Sequence, residues 1–236
     1  MDALTVIGRY GGGFRALRVS DGKVSDRAFG LSEEAALSAT GHDGGPVLRL
    51  GEGTPDTVPT RADPGDGTMP CLTRDRPADL LGAWARLIVA GFAARQPHWD
   101  GVILTGEGDV SHWIHLSAGE IVSFQGFLTP RLVAALGGAD AADPDALTDT
   151  MSRPERLAAH LHRATLSGDG RALTGHLIGA ELASARPYWL GQQVVLVPPD
   201  SAGLPYGAAL AAQGVPVEVG RADMLMTAGL GMLQAG

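Results

Sequence analysis

A single cysteine, Cys71, stands in 236 residues, so no disulfide can form within the chain and the composition fits a reducing compartment. No base lies near it in sequence, and Cys71 reads as a free thiol in a loop rather than a nucleophile. Long hydrophobic runs are missing as well. Nothing approaches the ~18 uninterrupted apolar residues of a membrane span. Met1-Asp2-Ala3-Leu4-Thr5 lacks the basic segment and apolar run of a secretory signal. A cytoplasmic protein is expected. Positive charge is short too: 18 Lys and Arg face 26 Asp and Glu, for a formal net charge of −8. Nucleic-acid backbones and anionic membranes both need clustered cations, so neither is expected as a partner. What is present is apolar content, 44% of the residues. That suffices for a core in one large domain or in two small ones sharing a cleft.

The chain opens as a meander. Leu4 to Ile7, Phe14 to Val19 and Lys23 to Phe29 read as strands, separated by Tyr10-Gly11-Gly12-Gly13 and by Ser20-Asp21-Gly22. Ser32 can cap a short helix to Ala39, and Pro46 to Leu50 reads as a strand. Gly51 to Asp75 is rich in Gly, Pro, Thr and Asp and reads as a long loop or hinge. Pro77 suits a helix start, and Leu80, Leu81, Trp84, Leu87, Ile88 and Phe92 recur at helical spacing up to Pro97. Gly101 to Thr105 is an apolar strand before a second glycine turn, Gly106-Glu107-Gly108. A hairpin over 112–124 follows, then a helix opened by Thr129-Pro130 and stopped at Gly137-Gly138. Helices are expected over 153–166, 171–185, 204–213 and 222–234, with strands over 192–197 and 215–219.

The halves echo each other, since each has a strand, a glycine turn and another strand, at Val6 to Arg15 and at Ile103 to Ile114. The expected class is α/β: two lobes of ribonuclease H-like βββαβα pattern around a central cleft, the actin-like or hexokinase-like ATPase fold. An N-terminal lobe is expected at 1–76, with a trimmed outline, and a C-terminal lobe at 77–236.

Three stretches carry a resemblance. Leu173-Thr174-Gly175-His176-Leu177-Ile178-Gly179-Ala180-Glu181-Leu182-Ala183 is the first. Gly108-Asp109-Val110-Ser111-His112-Trp113, continuing through Gly119-Glu120-Ile121 and Phe127-Leu128-Thr129, is the second. Tyr206, Ala209, Gly214 and Ala228-Gly229-Leu230 form the third. Together they resemble the 2-dehydro-3-deoxygalactonokinase family, convincingly over 77–236. The resemblance implies ATP-dependent phosphorylation of 2-dehydro-3-deoxy-D-galactonate or a related 2-keto-3-deoxy sugar acid, with ATP and Mg²⁺ as cofactors. The partners expected are the sugar acid and, in a homodimer, a second copy of the chain. By the same resemblance Gly11, Gly12, Gly13, Gly106, Gly108 and Ser111 bind the nucleotide, and Arg15 and Glu181 bind substrate. Asp109 is left as the catalytic acid.

Phosphoryl transfer needs carboxylates that hold metal or take the hydroxyl proton, and here the chain departs from the family. Gly8 stands where an aspartate aligns. The paired acids of the family's Arg-Gly-Glu-Glu fall on Ala83-Trp84. In the second turn Asp109 replaces threonine and His112 replaces lysine. Arg131 replaces an acid, and Pro199-Asp200-Ser201 replaces the adenosine turn. A catalytically impaired paralogue that binds or senses a sugar acid is therefore the alternative. Several residues keep two readings. Asp109 either recruits a metal or simply closes a hairpin, and the first glycine run either admits phosphate or only turns the chain. Glu181 either lines the cleft or supports a close helix contact near Gly175 and Gly179. His160 and His162, two apart on a helix, read as surface histidines, and a carboxylate supplied by the 51–75 loop (Asp63, Asp66) could restore a mechanism.

Overall fold

Residues Leu4–Tyr10 (β1), Gly13–Ser20 (β2) and Lys23–Gly30 (β3) form the expected meander, and Val47–Leu50 (β4) adds to β1 in parallel. A computed structural model describes residues 4–20, 23–198 and 205–234 of the chain. Helix α1 (Glu33–Ala39) starts where Ser32 accepts from the Ala35 N–H, and it buries Ala36 against Ile7 and Ala16. Gly11 takes φ +56° at the first position of a two-residue hairpin turn, where a side chain would be strained.

The segment expected to be a structureless loop is ordered. It contains Asp56–Thr57 (β5), Thr60–Arg61 (β6) and Leu72–Asp75 (β7), and β7 pairs antiparallel with Ala78–Leu81 (β8). Pro77 sits in that hairpin turn, so the helix does not begin there; α2 runs over Ala83–Arg95. Leu80 is exposed while Leu72 and Leu81 are buried, which is the alternation of a strand. Every residue of α2 from Ala83 to Phe92 is buried. The helix is enclosed on all sides rather than amphipathic.

What orders 51–75 is Arg86, whose side chain is fully buried. Its Nη1 donates to Asp56 at 2.7 Å and to the Pro70 carbonyl at 3.0 Å. Nη2 donates to the Arg61 carbonyl at 3.0 Å and Nε to the Ala62 carbonyl at 3.1 Å. A low-apolar segment that could not fold on hydrophobic burial is held by one cation from the neighbouring helix.

From residue 101 the chain builds a third and larger sheet. Gly101–Glu107 (β9), Val110–Ser117 (β10) and Glu120–Phe127 (β11) are followed by helices α3 (Thr129–Leu136), α4 (Pro144–Ser152), α5 (Leu157–Ser167), α6 (Gly170–Ser184) and α7 (Arg186–Trp189). Val194–Val197 (β12) lies parallel between β9 and Val217–Val219 (β13), with α8 (Tyr206–Ala212) connecting the last two. The helix α4 is absent from the sequence reading, although Asp143-Pro144 signals it: Asp143 accepts from the Ala146 N–H and Pro144 takes the first position. Helix α6 packs closely on α4. A Cβ at Gly175 would lie 2.5 Å from the Asp143 carbonyl oxygen, and one at Gly179 would lie 2.4 Å from that of Leu147. The final helix α9 (Ala222–Leu233) packs on α2 in the same manner, with Gly91 against the Leu225 carbonyl and Gly229 against that of Leu87.

Two compact units result. One holds 1–100, 116–124 and 221–236, and the other holds 101–115 and 125–220. The division expected at 76/77 therefore lies elsewhere. Arg86 binds α2 to residues 56–70, and α9 returns to α2, so β8, α2 and the C-terminus all belong with the first unit.

Candidate functional site

The two glycine turns fall in different units. In the first, Gly11 and Gly12 are exposed, while Gly13 is buried in the ladder. A Cβ at Gly13 would lie 2.4 Å from the Gly30 carbonyl, so strand packing already accounts for that glycine. Arg15 stacks on Tyr10, its guanidinium carbon 3.5 Å from the ring centroid, and lies 5.7 Å from that of Trp84. Gly8, opposite Arg15 in the ladder, has no room for the missing aspartate without displacement. A Cβ there would meet the Leu50 carbonyl at 3.0 Å and Trp84 Nε1 at 3.1 Å. That indole N–H is buried with no hydrogen-bond partner. Thus Gly8, Ala83 and Trp84 occupy the three positions where the resemblance aligns acids, and none of them carries a carboxylate.

The second turn borders a cavity. Gly108, at φ +63°, and Asp109 close the hairpin between β9 and β10. Gly106, Gly108, Asp109 and Ser111 line a space of about 380 Å³ together with Thr105, Tyr206 and apolar side chains of α3 and β12. Thr105 is missed by sequence reading, and nothing in an apolar strand marks it. Its residue is 3% exposed and its hydroxyl has no partner.

Asp109 is not a free carboxylate. Arg131 Nε donates to one oxygen at 2.5 Å and Nη2 to the other at 3.0 Å, and this pairing holds the Asp109 carboxyl below its ordinary range. Two departures noted singly in the sequence, an acid gained at 109 and a base gained at 131, are partners.

Glu181 is buried (2% exposed) and does not line the cavity. It accepts from Ser111 Oγ at 2.9 Å, from Trp113 Nε1 at 2.8 Å and from the Tyr206 hydroxyl at 2.7 Å, with Thr129 as a further donor. Burial pushes its carboxyl upward while the donors pull it down, and burial prevails. The Tyr206 phenol is raised well above its usual value by burial and by Glu181, so it remains a donor. Because Ser111 and Tyr206 do line the cavity, Glu181 acts by fixing their hydroxyls.

His160 is buried, a correction to its reading as a surface residue. Thr150 Oγ1 lies 2.9 Å from His160 Nδ1 and 2.8 Å from His176 Nδ1, and burial lowers both imidazole pKa values. Asp63 and Asp66 are spent on local turns, accepting from Gly65 and Thr68. Pro199-Asp200-Ser201 lies outside the described residues.

Residues 137–233 match the family model described as 2-keto-3-deoxy-galactonokinase. Over this stretch the chain is similar to the 2-keto-3-deoxy-galactonokinase family. The match contains the whole α6 motif and the C-terminal pattern, but it stops short of the second glycine turn. Among solved structures, a Sinorhizobium meliloti protein described as a candidate 2-dehydro-3-deoxygalactonokinase is similar at TM-score 0.78 and 19% identity, over 98% of this chain and 97% of that one. Component A of the Acidaminococcus fermentans (R)-2-hydroxyglutaryl-CoA dehydratase is similar at TM-score 0.52 and 12% identity, over 99% and 97%. The activator of the Clostridium difficile 2-hydroxyisocaproyl-CoA dehydratase, solved with bound ADPNP, has the same TM-score and identity, over 99% and 94%. Among curated proteins none matches in sequence. At these identities the structural likeness establishes the fold, the two-lobed α/β fold of actin-like ATPases. The family match over 137–233 supports a sugar-acid-kinase-like protein.

Proposed function

We propose that this chain binds ATP at the cavity of the second unit and phosphorylates 2-dehydro-3-deoxy-D-galactonate or a close 2-keto-3-deoxy sugar acid. The observation that carries the reading is the cavity itself: a glycine turn, an unpartnered Thr105 hydroxyl and hydroxyls fixed by Glu181, beside an apolar wall suited to a nucleoside. Backbone N–H groups of the Gly106–Gly108 turn would meet phosphate oxygens, and Ser111 and Tyr206 would orient the ligand. A cytoplasmic location goes with ATP as cosubstrate. A protein-held magnesium fits less well. No three His, Cys, Asp or Glu side chains converge as a metal site among the described residues, and both Asp109 oxygens are engaged by Arg131.

Those same facts favour a second reading, a paralogue that binds the sugar acid with little or no transfer. Gly8, Ala83 and Trp84 take the acid positions of the first unit, and the acid of the second is paired. A coupled ATP assay against a panel of keto-deoxy sugar acids separates the two. Turnover with one acid of the panel supports the kinase. Stabilisation against heat by a sugar acid, with none by Mg-ATP and no turnover at millimolar substrate, rejects it in favour of the paralogue.

A further inference from the structure

Among the described residues lining the second unit's cavity, Asp109 and Asp140 bring negative charge and no lysine or arginine brings positive charge. A phosphate-bearing ligand entering such a space meets repulsion unless a cation reaches it. One stands a single contact away. Arg131 lies in the first turn of α3, next to Pro130, which lines the cavity, and its guanidinium grips Asp109 with two hydrogen bonds. Its side chain is 55% exposed and that of Asp109 44%, so water competes for the pair and little holds it shut. The planar fork that matches a carboxylate matches a phosphate equally, and a phosphate offers more charge. The Arg131 backbone N–H also donates to the Asp109 carbonyl at 3.2 Å, which keeps the turn and the helix joined while the side chains exchange.

We propose that Arg131 is the anion-binding side chain of this cavity, held by Asp109 in the free protein and transferred to a phosphate group of the ligand on binding. This rests on the nucleotide reading and supplies its phosphate contact. The two partners of one ion pair then act in opposite directions: losing the arginine removes a ligand contact, while losing the aspartate removes a competitor. An ion pair serving only the fold would make the two variants alike.

The test is calorimetric titration of the full chain with ATP, pyrophosphate and adenosine, for the wild type, Arg131→Gln, Asp109→Asn and the double variant. Arg131→Gln should weaken ATP and pyrophosphate by about ten-fold and leave adenosine unchanged. Asp109→Asn should tighten both anions by about three-fold, and that gain should vanish when Arg131 is also Gln. Unchanged anion affinity in Arg131→Gln overturns the proposal. So does an Asp109→Asn gain that survives in the double variant, because simple removal of negative charge then explains it. Pyrophosphate binding that depends on Arg131, in a protein that does not bind adenosine, keeps the arginine's role and sinks the nucleotide reading. A wild type that binds neither anion overturns both.

Discussion

The first unit is organised about a buried guanidinium and the second about a buried carboxyl group. Arg86 donates to Asp56 and to three backbone carbonyls, and Glu181 accepts from four side-chain donors. Both lie on a buried helix that packs on another through glycines, α2 on α9 and α6 on α4. Their outputs differ. Arg86 spends three of these hydrogen bonds on the backbone of 61–70 and one on the Asp56 carboxylate, so its effect is to order a chain segment. Glu181 spends its bonds on side chains, two of which, Ser111 and Tyr206, line a cavity. The first unit has put its buried charge into architecture and the second has put its own behind a site. This agrees with the absence of a carboxylate at Gly8, Ala83 and Trp84 in the first unit.

The comparison is most exposed to substitution at the two charges themselves. Arg86→Met leaves Asp56 without this partner and three backbone carbonyls, two of them buried, without a donor, and should cost about 3–5 kcal/mol. Urea unfolding would show this, and amide exchange should reveal protection lost over 56–75 ahead of the second unit. If protection falls equally in both units, Arg86 is not specific to that segment. Glu181→Ala should cost about 3 kcal/mol by stranding Trp113, Ser111 and Tyr206, whereas Glu181→Gln should cost roughly 1 kcal/mol, since a hydroxyl can reverse its role. The pH dependence follows in sign. A carboxyl raised in the folded state contributes most to stability below its unfolded pKa, and the contribution is lost as pH rises through the folded value. Glu181→Gln should flatten that part of the stability profile; an unchanged slope would mean the carboxyl is not raised. Next in size, Gly179→Ala should cost about 1–3 kcal/mol by pushing α6 off the Leu147 carbonyl, with a parallel loss of ligand affinity as Ser111 and Tyr206 shift. A stable Gly179→Ala protein with unaltered binding would separate that helix contact from the site.

The local rules were legible and the long-range polar ones were not. The meander, the capped helix at Ser32, the Pro130 helix start and its Gly137 stop follow from turn and capping chemistry within a few residues. Pro77 misled because a proline suits both a helix start and a hairpin turn, and only pairing with Leu72–Asp75 decides between them. The segment 51–75 looked unstructured because its order comes from Arg86, a residue outside it that no local pattern singles out. At the site, Gly106, Gly108, Asp109 and Ser111 were found together because they are neighbours in sequence. Glu181 was found through its motif, but its role required Ser111, Trp113 and Tyr206, which lie 70, 68 and 25 residues away. Charge swaps at 109 and 131 read as two separate losses until geometry joined them across 22 residues.

The smallest expected effect bears on the sharpest contrast. Each unit keeps a buried polar group with no hydrogen-bond partner, Trp84 Nε1 in the first and Thr105 Oγ1 in the second. Trp84 fills space beside Gly8, and its orphan N–H accompanies a large buried ring that could not be removed without a cavity. Thr105 has no such excuse, because valine has its shape. An unpaired buried hydroxyl is unfavourable by about 1–3 kcal/mol, so Thr105→Val should stabilise the free protein by roughly 1 kcal/mol, or a rise of about 2–4 °C in Tm. Retention of a group that weakens the fold makes sense where a ligand completes it, and the same variant should bind ATP several-fold less tightly. Thermal melts with and without ATP read both quantities on one sample. A Thr105→Val protein that melts lower than wild type shows the hydroxyl already satisfied in the free state, and the second unit would then hold no group in reserve for its ligand.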